Sequence, residues 1–295
     1  MKKYLFSSFL LFLCTFSFAQ SINFFKIDST INAEIAQQNI AGGVALIAKN
    51  GKIVHHQAYG FANIDASVKM QENAIFRIAS QTKAIVSVAV LQLVEQGRIG
   101  LEDPVEMYFP AFSGQKVYVK QADTLLLVDR KRSITIRDLL THQSGISSAD
   151  EYPYLQKEFV KFGLSNSGFE EYPNLSAEIA QIAKMPLAHQ PGARFSYGLS
   201  TNVLGGLIEL ITKQSLSNYL ADNIFKPLGM EDTYFYLPKS KHNRLVEIYV
   251  KQDNRLIAAD RTKMPVDYPL LNNASYFSAI GGLVSTTKDY FLFLN

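Results

Sequence analysis

Ser80 is followed three residues later by Lys83, a spacing that in a helix sets hydroxyl and amine on one face, one turn apart. A serine hydroxyl becomes a useful nucleophile only with a base within hydrogen-bond reach, and burial lowers the pKa of a lysine toward that role. Spacing alone does not single out this pair, because Ser113-Gly114-Gln115-Lys116 and Ser285-Thr286-Thr287-Lys288 repeat it. What distinguishes Ser80 is the segment it opens. From Ser80 to Gln96 the residues Ala84, Ile85, Val86, Val88, Ala89, Val90, Leu91, Leu93 and Val94 are apolar on nearly every side, with Gly97 as a C-cap, which predicts a buried helix. The first turn of such a helix points backbone N–H groups at a developing oxyanion. Ser113 stands beside Gly114 in a loop, and Ser285 precedes Thr286 and Asp289, an ordinary helix N-cap pattern. On pattern alone, a capping serine with a solvated lysine is the commoner outcome for Ser80 as well.

Competing chemistries are thin. There is no Gly-x-Ser-x-Gly elbow, no His-Glu-x-x-His and no Gly-rich phosphate loop. The five histidines, His55, His56, His142, His189 and His242, show no metal-ligand spacing, and His142 on an apolar helix is expected to be a satisfied structural residue. Cys14 is the single cysteine and lies in the leader, which removes thiolate, disulfide and zinc-thiolate chemistry. No metal or organic cofactor is expected. Lys and Arg number 29 against 26 Asp and Glu, and Lys2 and Lys3 also belong to the leader, so nothing is built to hold a nucleic acid backbone.

The elements that must position Ser80 begin after that leader. Lys2-Lys3, the apolar run Tyr4 to Phe18 and the small residues of Ser17-Phe18-Ala19 predict a signal peptide over residues 1–19, hence an exported protein, periplasmic or extracellular. The run of about 15 apolar residues falls short of the ~20 that span a bilayer, and no later stretch reaches that length, so no stable membrane span is expected. Residues 20–295 are expected to form one domain. Ile27, Ile31 and Ile35 predict an amphipathic helix over about Phe25 to Gln38, and Val44 to Ala48 and Ile53 to Tyr59 predict strands joined at Asn50-Gly51. Helices are predicted over Thr135 to Thr141, Thr201 to Thr212 and Ser215 to Phe225, with a later hairpin of Val246 to Val250 and Arg255 to Ala259. The whole is an α/β part over about residues 24–78 and a mostly helical lobe over about 79–245.

With Ser80 to Lys83 at the head of a buried helix, the chain resembles the serine β-lactamase-like family, which includes class C β-lactamases, D-alanyl-D-alanine peptidases and related esterases. The resemblance rests on Ala41-Gly42-Gly43-Val44, Ile78-Ala79-Ser80-Gln81-Thr82-Lys83, Ile136 to Gly145 with its Leu139-Leu140-Thr141-His142, Pro191 to Tyr197, Pro227-Leu228-Gly229-Met230 and Gly281 to Thr286. These stand in the family's order and span about residues 24–295. The resemblance implies an antiparallel sheet flanked by helices with an inserted, mostly helical lobe. It implies further that Ser80 is the acylated nucleophile, that Lys83 shares its proton and that Tyr197 is the second general acid/base. Amine and phenol each titrate near 10 in water, so placed together they would hold a proton between them. Tyr172-Pro173-Asn174 also fits the family's Tyr-x-Asn pattern but lacks the Pro191-Gly192 lead-in, and is read as a decoy.

Two departures shape the expected function. Where penicillin-recognising members carry Asn two places after the tyrosine, this chain has Leu199, which would set an apolar side chain in the substrate site and tilts the expectation toward small esters over β-lactams or peptides. The family's later strand with Lys-Thr-Gly or His-x-Gly, the strands beside it and the closing helix are not reached before Asn295, so the expectation is a fragment of a longer reading frame. The sequence thus predicts a serine hydrolase acting on a small ester, amide or peptide substrate, esterase-like in preference to a β-lactamase or D-alanyl-D-alanine carboxypeptidase. The alternative of another class is a non-catalytic cell-envelope binding protein.

Overall fold

Asn50 and Gly51 adopt φ 51° and 71°, the doubly left-handed turn whose twist matches a right-handed strand pair, and so close the first hairpin. This computed structural model describes residues 23–121, 124–148, 152, 155–162, 172–262, 266–272 and 274–295; the signal peptide expected over residues 1–19, with Cys14, lies outside the described residues. The hairpin joins β1 (Gly42–Lys49) to β2 (Lys52–Asn63), which pairs in turn with β3 (Val68–Lys69), all antiparallel. On it lies α1 (Phe25–Ala36), with Ile27, Ile31 and Ile35 half-buried as the four-residue spacing predicts. Then come β4 (Phe76–Arg77), a 3-10 turn at Ala79–Gln81, and α2 (Thr82–Glu95).

The lobe follows with α3 (Val105–Tyr108), β5 (Lys116–Gln121), β6 (Thr124–Asp129), α4 (Ile136–Leu140), α5 (Gln156–Lys161), α6 (Leu175–Ile182), α7 (Ser200–Thr212), α8 (Leu216–Leu220) and α9 (Lys226–Leu228). The β5–β6 hairpin is an addition to the predicted helical lobe. Its residues Val117, Val119, Leu125 to Val128 read equally well as a buried apolar run, and periodicity alone does not separate the two. Beyond the lobe, β7 (Tyr249–Gln252) and β8 (Arg255–Ala258) form the later hairpin, its first strand displaced toward the turn because Asp253 and Asn254, both at positive φ, make a two-residue connection where four were expected. The chain then returns: β9 (Val284–Ser285) pairs antiparallel with β4, and α10 (Thr287–Leu294) packs on β1. Residues on either side of the lobe are therefore neighbours in the sheet layer.

The core lies where α2 meets α7. On α2, Ile85, Val86, Ala89, Val90 and Leu93 have no exposure, and full burial of a Val, Ile or Leu stabilises by about 1.5–3 kcal/mol. The expectation that α2 is buried on all sides holds for this face only, since Val88 and Leu91 are 38% and 47% exposed. Facing α2, α7 is buried from Ser200 through Ile208. No helix among the described residues is long and apolar enough to cross a membrane.

Candidate active site

Ala79 holds φ 45°, a left-handed backbone uncommon for a residue with a Cβ, and the chain then turns directly into Ser80. Such strain costs on the order of 1 kcal/mol or more and persists only where surrounding contacts fix it. Here they do: Ile78 N–H donates to Leu283 O at 3.1 Å and Leu283 N–H to the buried Thr82 Oγ1 at 3.2 Å, which ties the turn to the Gly281-Gly282 segment. Ser80 is thereby exposed at the head of α2 with Lys83 half-buried beneath it.

Three side chains meet there. Tyr197 OH donates to Ser80 Oγ at 2.6 Å and Lys83 Nζ donates to the same oxygen at 3.1 Å. Lys83 Nζ also donates to the Ile280 carbonyl at 2.6 Å and lies 4.6 Å from the centre of the Tyr197 ring. Burial holds the Lys83 amine below its ordinary pKa, against a smaller upward pull from Tyr197. Burial pushes the Tyr197 phenol up, but hydrogen bonding with Lys83 and with Ser80 and the lysine charge outweigh it and hold the phenol down. Both groups are brought closer to releasing a proton at neutral pH than either would be in water, as a base pair for Ser80 requires.

Tyr197 owes its place to the loop after α4. That helix starts with a capping box, Thr135 Oγ1 accepting from Asp138 N–H while the Asp138 carboxylate accepts from Thr135 N–H, and Arg132 clamps the same carboxylate through both its terminal nitrogens. The clamp and the cap hold Asp138 below the usual carboxylate range against its own burial. After α4, Ser196 N–H donates to His142 O and Ser196 Oγ to Ser147 Oγ, each at 2.8 Å. A Cβ on Gly198 would fall 2.4 Å from the carbonyl carbon of Ser147, so only glycine lets the segment carrying Tyr197 lie against this loop.

His142 corrects the sequence expectation. It lies beyond α4, at φ 53°, and its ring stacks on Tyr197 with centroids 5.0 Å apart at 21°, flanked by Phe195 at 5.7 Å. Its buried Nδ1 makes no hydrogen bond, so it is not the satisfied structural histidine that an apolar helix suggested. Burial and the nearby Lys83 charge push its pKa down to about 4. The only sequence signal was adjacency to the Gln143-Ser144-Gly145 turn, and nothing local says that residue 197 covers it.

Leu199 is placed differently from the expectation. It is 5% exposed and belongs to the core cluster with α2 and α7, because it caps the start of α7 and turns inward. Its side chain therefore offers a substrate little surface. The other Ser-x-x-Lys matches are structural: Ser113 ends a short 3-10 turn, Lys116 pairs with Asp129, and Ser285 lies in β9 before the Thr286 cap of α10. Tyr172 packs on Tyr276, and Asn174 caps α6 by accepting from Ala177 N–H, as a decoy would.

Similarity to known proteins follows the same elements. Protein Rv1367c of Mycobacterium tuberculosis is 32% identical over 260 residues, covering 86% of this chain and 61% of its own length. Esterase EstB of Burkholderia gladioli is 31% identical over 213 residues, covering 71% of this chain and 51% of its own. The chain thus spans about half to three-fifths of the length of these curated relatives. Among solved structures, EstCE1, a hydrolase with promiscuous acyltransferase activity, superposes with TM-score 0.78 at 24% identity over 90% of this chain and 70% of its own. Simvastatin synthase (LovD) from Aspergillus terreus gives 0.74 at 24% over 92% and 67%, and both share the fold. The sequence model of the Beta-lactamase family matches residues 27–295, the stretch that carries the sheet, the lobe and the meeting point of Ser80, Lys83 and Tyr197, and the chain belongs to that family.

Proposed function

We propose that this protein is a serine hydrolase acting through an acyl-enzyme on small ester or amide substrates, with esters preferred. The observation that carries the reading is the pair of contacts on Ser80 Oγ, 2.6 Å from Tyr197 and 3.1 Å from Lys83. In the resting geometry Ser80 Oγ accepts from both partners. Once the pair has lost a proton, one contact reverses and takes the Ser80 proton as Oγ bonds to the substrate carbonyl carbon. The Ser80 N–H, in the first turn of a helix where no backbone acceptor precedes it, supports the resulting oxyanion. The proton then passes to the leaving alcohol or amine as the carbonyl–leaving-group bond breaks, and water repeats the sequence to release the acid.

Two observations favour esters. Leu199 turns into the core, so the position offers no amide to an acylamino side chain, and the relative EstB is an esterase by name. The leader at residues 1–19 supports export to a periplasm or beyond, which N-terminal sequencing of secreted protein tests by a start at Gln20.

The deciding experiment is intact-mass analysis with peptide mapping after fluorophosphonate treatment. An adduct on Ser80 that is absent from Ser80→Ala is expected; a folded wild-type protein without an adduct refutes the reading and leaves a binding protein. Turnover of a short-chain nitrophenyl ester above nitrocefin is the expected preference.

A further inference from the structure

A second set of buried polar groups lies behind the site and reaches it through one backbone carbonyl. Glu178 on α6 is 3% exposed and Asn202 on α7 has no exposure. The Asn202 amide donates to both carboxylate oxygens of Glu178, at 2.9 and 2.8 Å, and Tyr276 OH donates to Glu178 Oε2 at 2.9 Å. With its nitrogen committed to the carboxylate, Asn202 turns its oxygen the other way and accepts from Ile280 N–H at 3.1 Å. The carbonyl of that same residue is the one that accepts from Lys83 Nζ at 2.6 Å.

These contacts form an unbroken series: carboxylate, amide, residue 280, lysine, serine. Glu178, Asn202 and Tyr276 all lie outside the Ser-x-x-Lys and tyrosine motifs. A buried carboxylate costs several kcal/mol of lost solvation unless donors replace the water, and here three elements, α6, α7 and the stretch before Gly281, supply or anchor those donors. A hydrophobic set would fill the space equally well. What it would lack is direction: it could not fix the azimuth of the 280 backbone, on which the orientation of the lysine amine depends.

We propose that Glu178, Asn202 and Tyr276 are positioning residues that set the Ile280 carbonyl and through it aim the Lys83 amine at Ser80. This inference rests on the serine hydrolase reading. With the network intact, the amine is held in a poorly hydrated place, donating to the Ile280 carbonyl and the Ser80 hydroxyl. When the network is cut, the 280 carbonyl withdraws, water reaches the amine, and the loss of solvation that held its pKa down is relieved. The groups facing that amine are the Ile280 carbonyl, the Ser80 hydroxyl, the Tyr197 phenol, whose pKa is held down, and the His142 imidazole, whose pKa is pushed down to about 4.

The test is the second-order rate of Ser80 labelling by a fluorophosphonate, followed by intact mass between about pH 6 and about pH 10, for wild type, Glu178→Gln, Asn202→Ala and Tyr276→Phe. The first two variants are expected to label about tenfold to a hundredfold more slowly, as a misplacement of roughly 1 Å does, with the rise of rate with pH displaced to higher pH. Tyr276→Phe keeps the ring that packs on Tyr172 and loses only the hydroxyl; it is expected to shift the profile in the same direction by a smaller amount, and it decides the matter if the other two do not fold. Labelling at the wild-type rate, or a slower rate that tracks the folded fraction with an unmoved pH profile, overturns the positioning role while the hydrolase reading stands. A wild-type protein that does not label at all overturns both.

Discussion

The imidazole of His142 stays neutral in the folded protein far below its ordinary titration, and that has a measurable cost. In the unfolded chain it takes up its proton as the pH falls through about 6.5; in the folded protein burial and the Lys83 charge postpone this to about 4. Between those values the unfolded state binds more protons, so stability declines as the pH falls from about 6.5 and levels off below about 4. The full difference corresponds to about 3 kcal/mol at ~1.4 kcal/mol per pH unit, and partial solvent access reduces the expectation to about 1–2 kcal/mol. Urea denaturation of wild type and His142→Phe at about pH 7.5 and about pH 4.5 reads this directly. Phenylalanine keeps an aromatic ring against Tyr197, and any strain it meets at φ 53° is the same at both pH values. His189, also held down by burial, is present in both proteins and its contribution cancels. Wild type should lose about 1–2 kcal/mol more than the variant on acidification. Equal losses would refute the claim that His142 is kept neutral by its surroundings.

Tyr197→Phe removes the hydroxyl 2.6 Å from Ser80 while leaving the ring on His142, and should lower kcat for a nitrophenyl ester by about 10²–10⁴-fold with KM little changed. A fall of less than about threefold would take Tyr197 out of the proton path. Gly198→Ala places a methyl 2.4 Å from the Ser147 carbonyl carbon and should destabilise by about 1–3 kcal/mol in urea titration, with activity lost in parallel; unchanged stability would show that the loop yields easily.

Ser80 and Lys83 were legible because their spacing is local and because the helix behind them is apolar far beyond what a surface helix needs. Tyr197 was legible only through the resemblance, on its Pro191-Gly192 lead-in. The partners of this trio were not. His142 is joined to Tyr197 across 55 residues, and a histidine after Leu139-Leu140-Thr141 reads as one more residue of an apolar helix until the left-handed turn is seen. Leu199 was given the right position in the chain and the wrong direction, because the identity of a residue two places after the tyrosine says nothing about which way the first turn of α7 faces. The β5–β6 hairpin escaped for a different reason: its strands are short, apolar and without a two-residue Asn-Gly signal between them.

The contacts that arm Ser80 also set an order of events in the life of each molecule. Tyr197 lies 117 residues beyond Ser80, and the Ile280 carbonyl 197 residues beyond Lys83. At roughly 5–20 residues per second, a ribosome needs about 10–40 s to travel from the lysine to the carbonyl that holds it. Tyr197 is made partway through that interval and the carbonyl only at its end, so until then the serine has no fixed amine and is expected to be as unreactive as a serine in a loose chain. On the proposed mechanism Ser80 is made early and becomes a competent nucleophile late, so reactivity toward esters is expected only in a molecule whose lobe has closed back on its sheet.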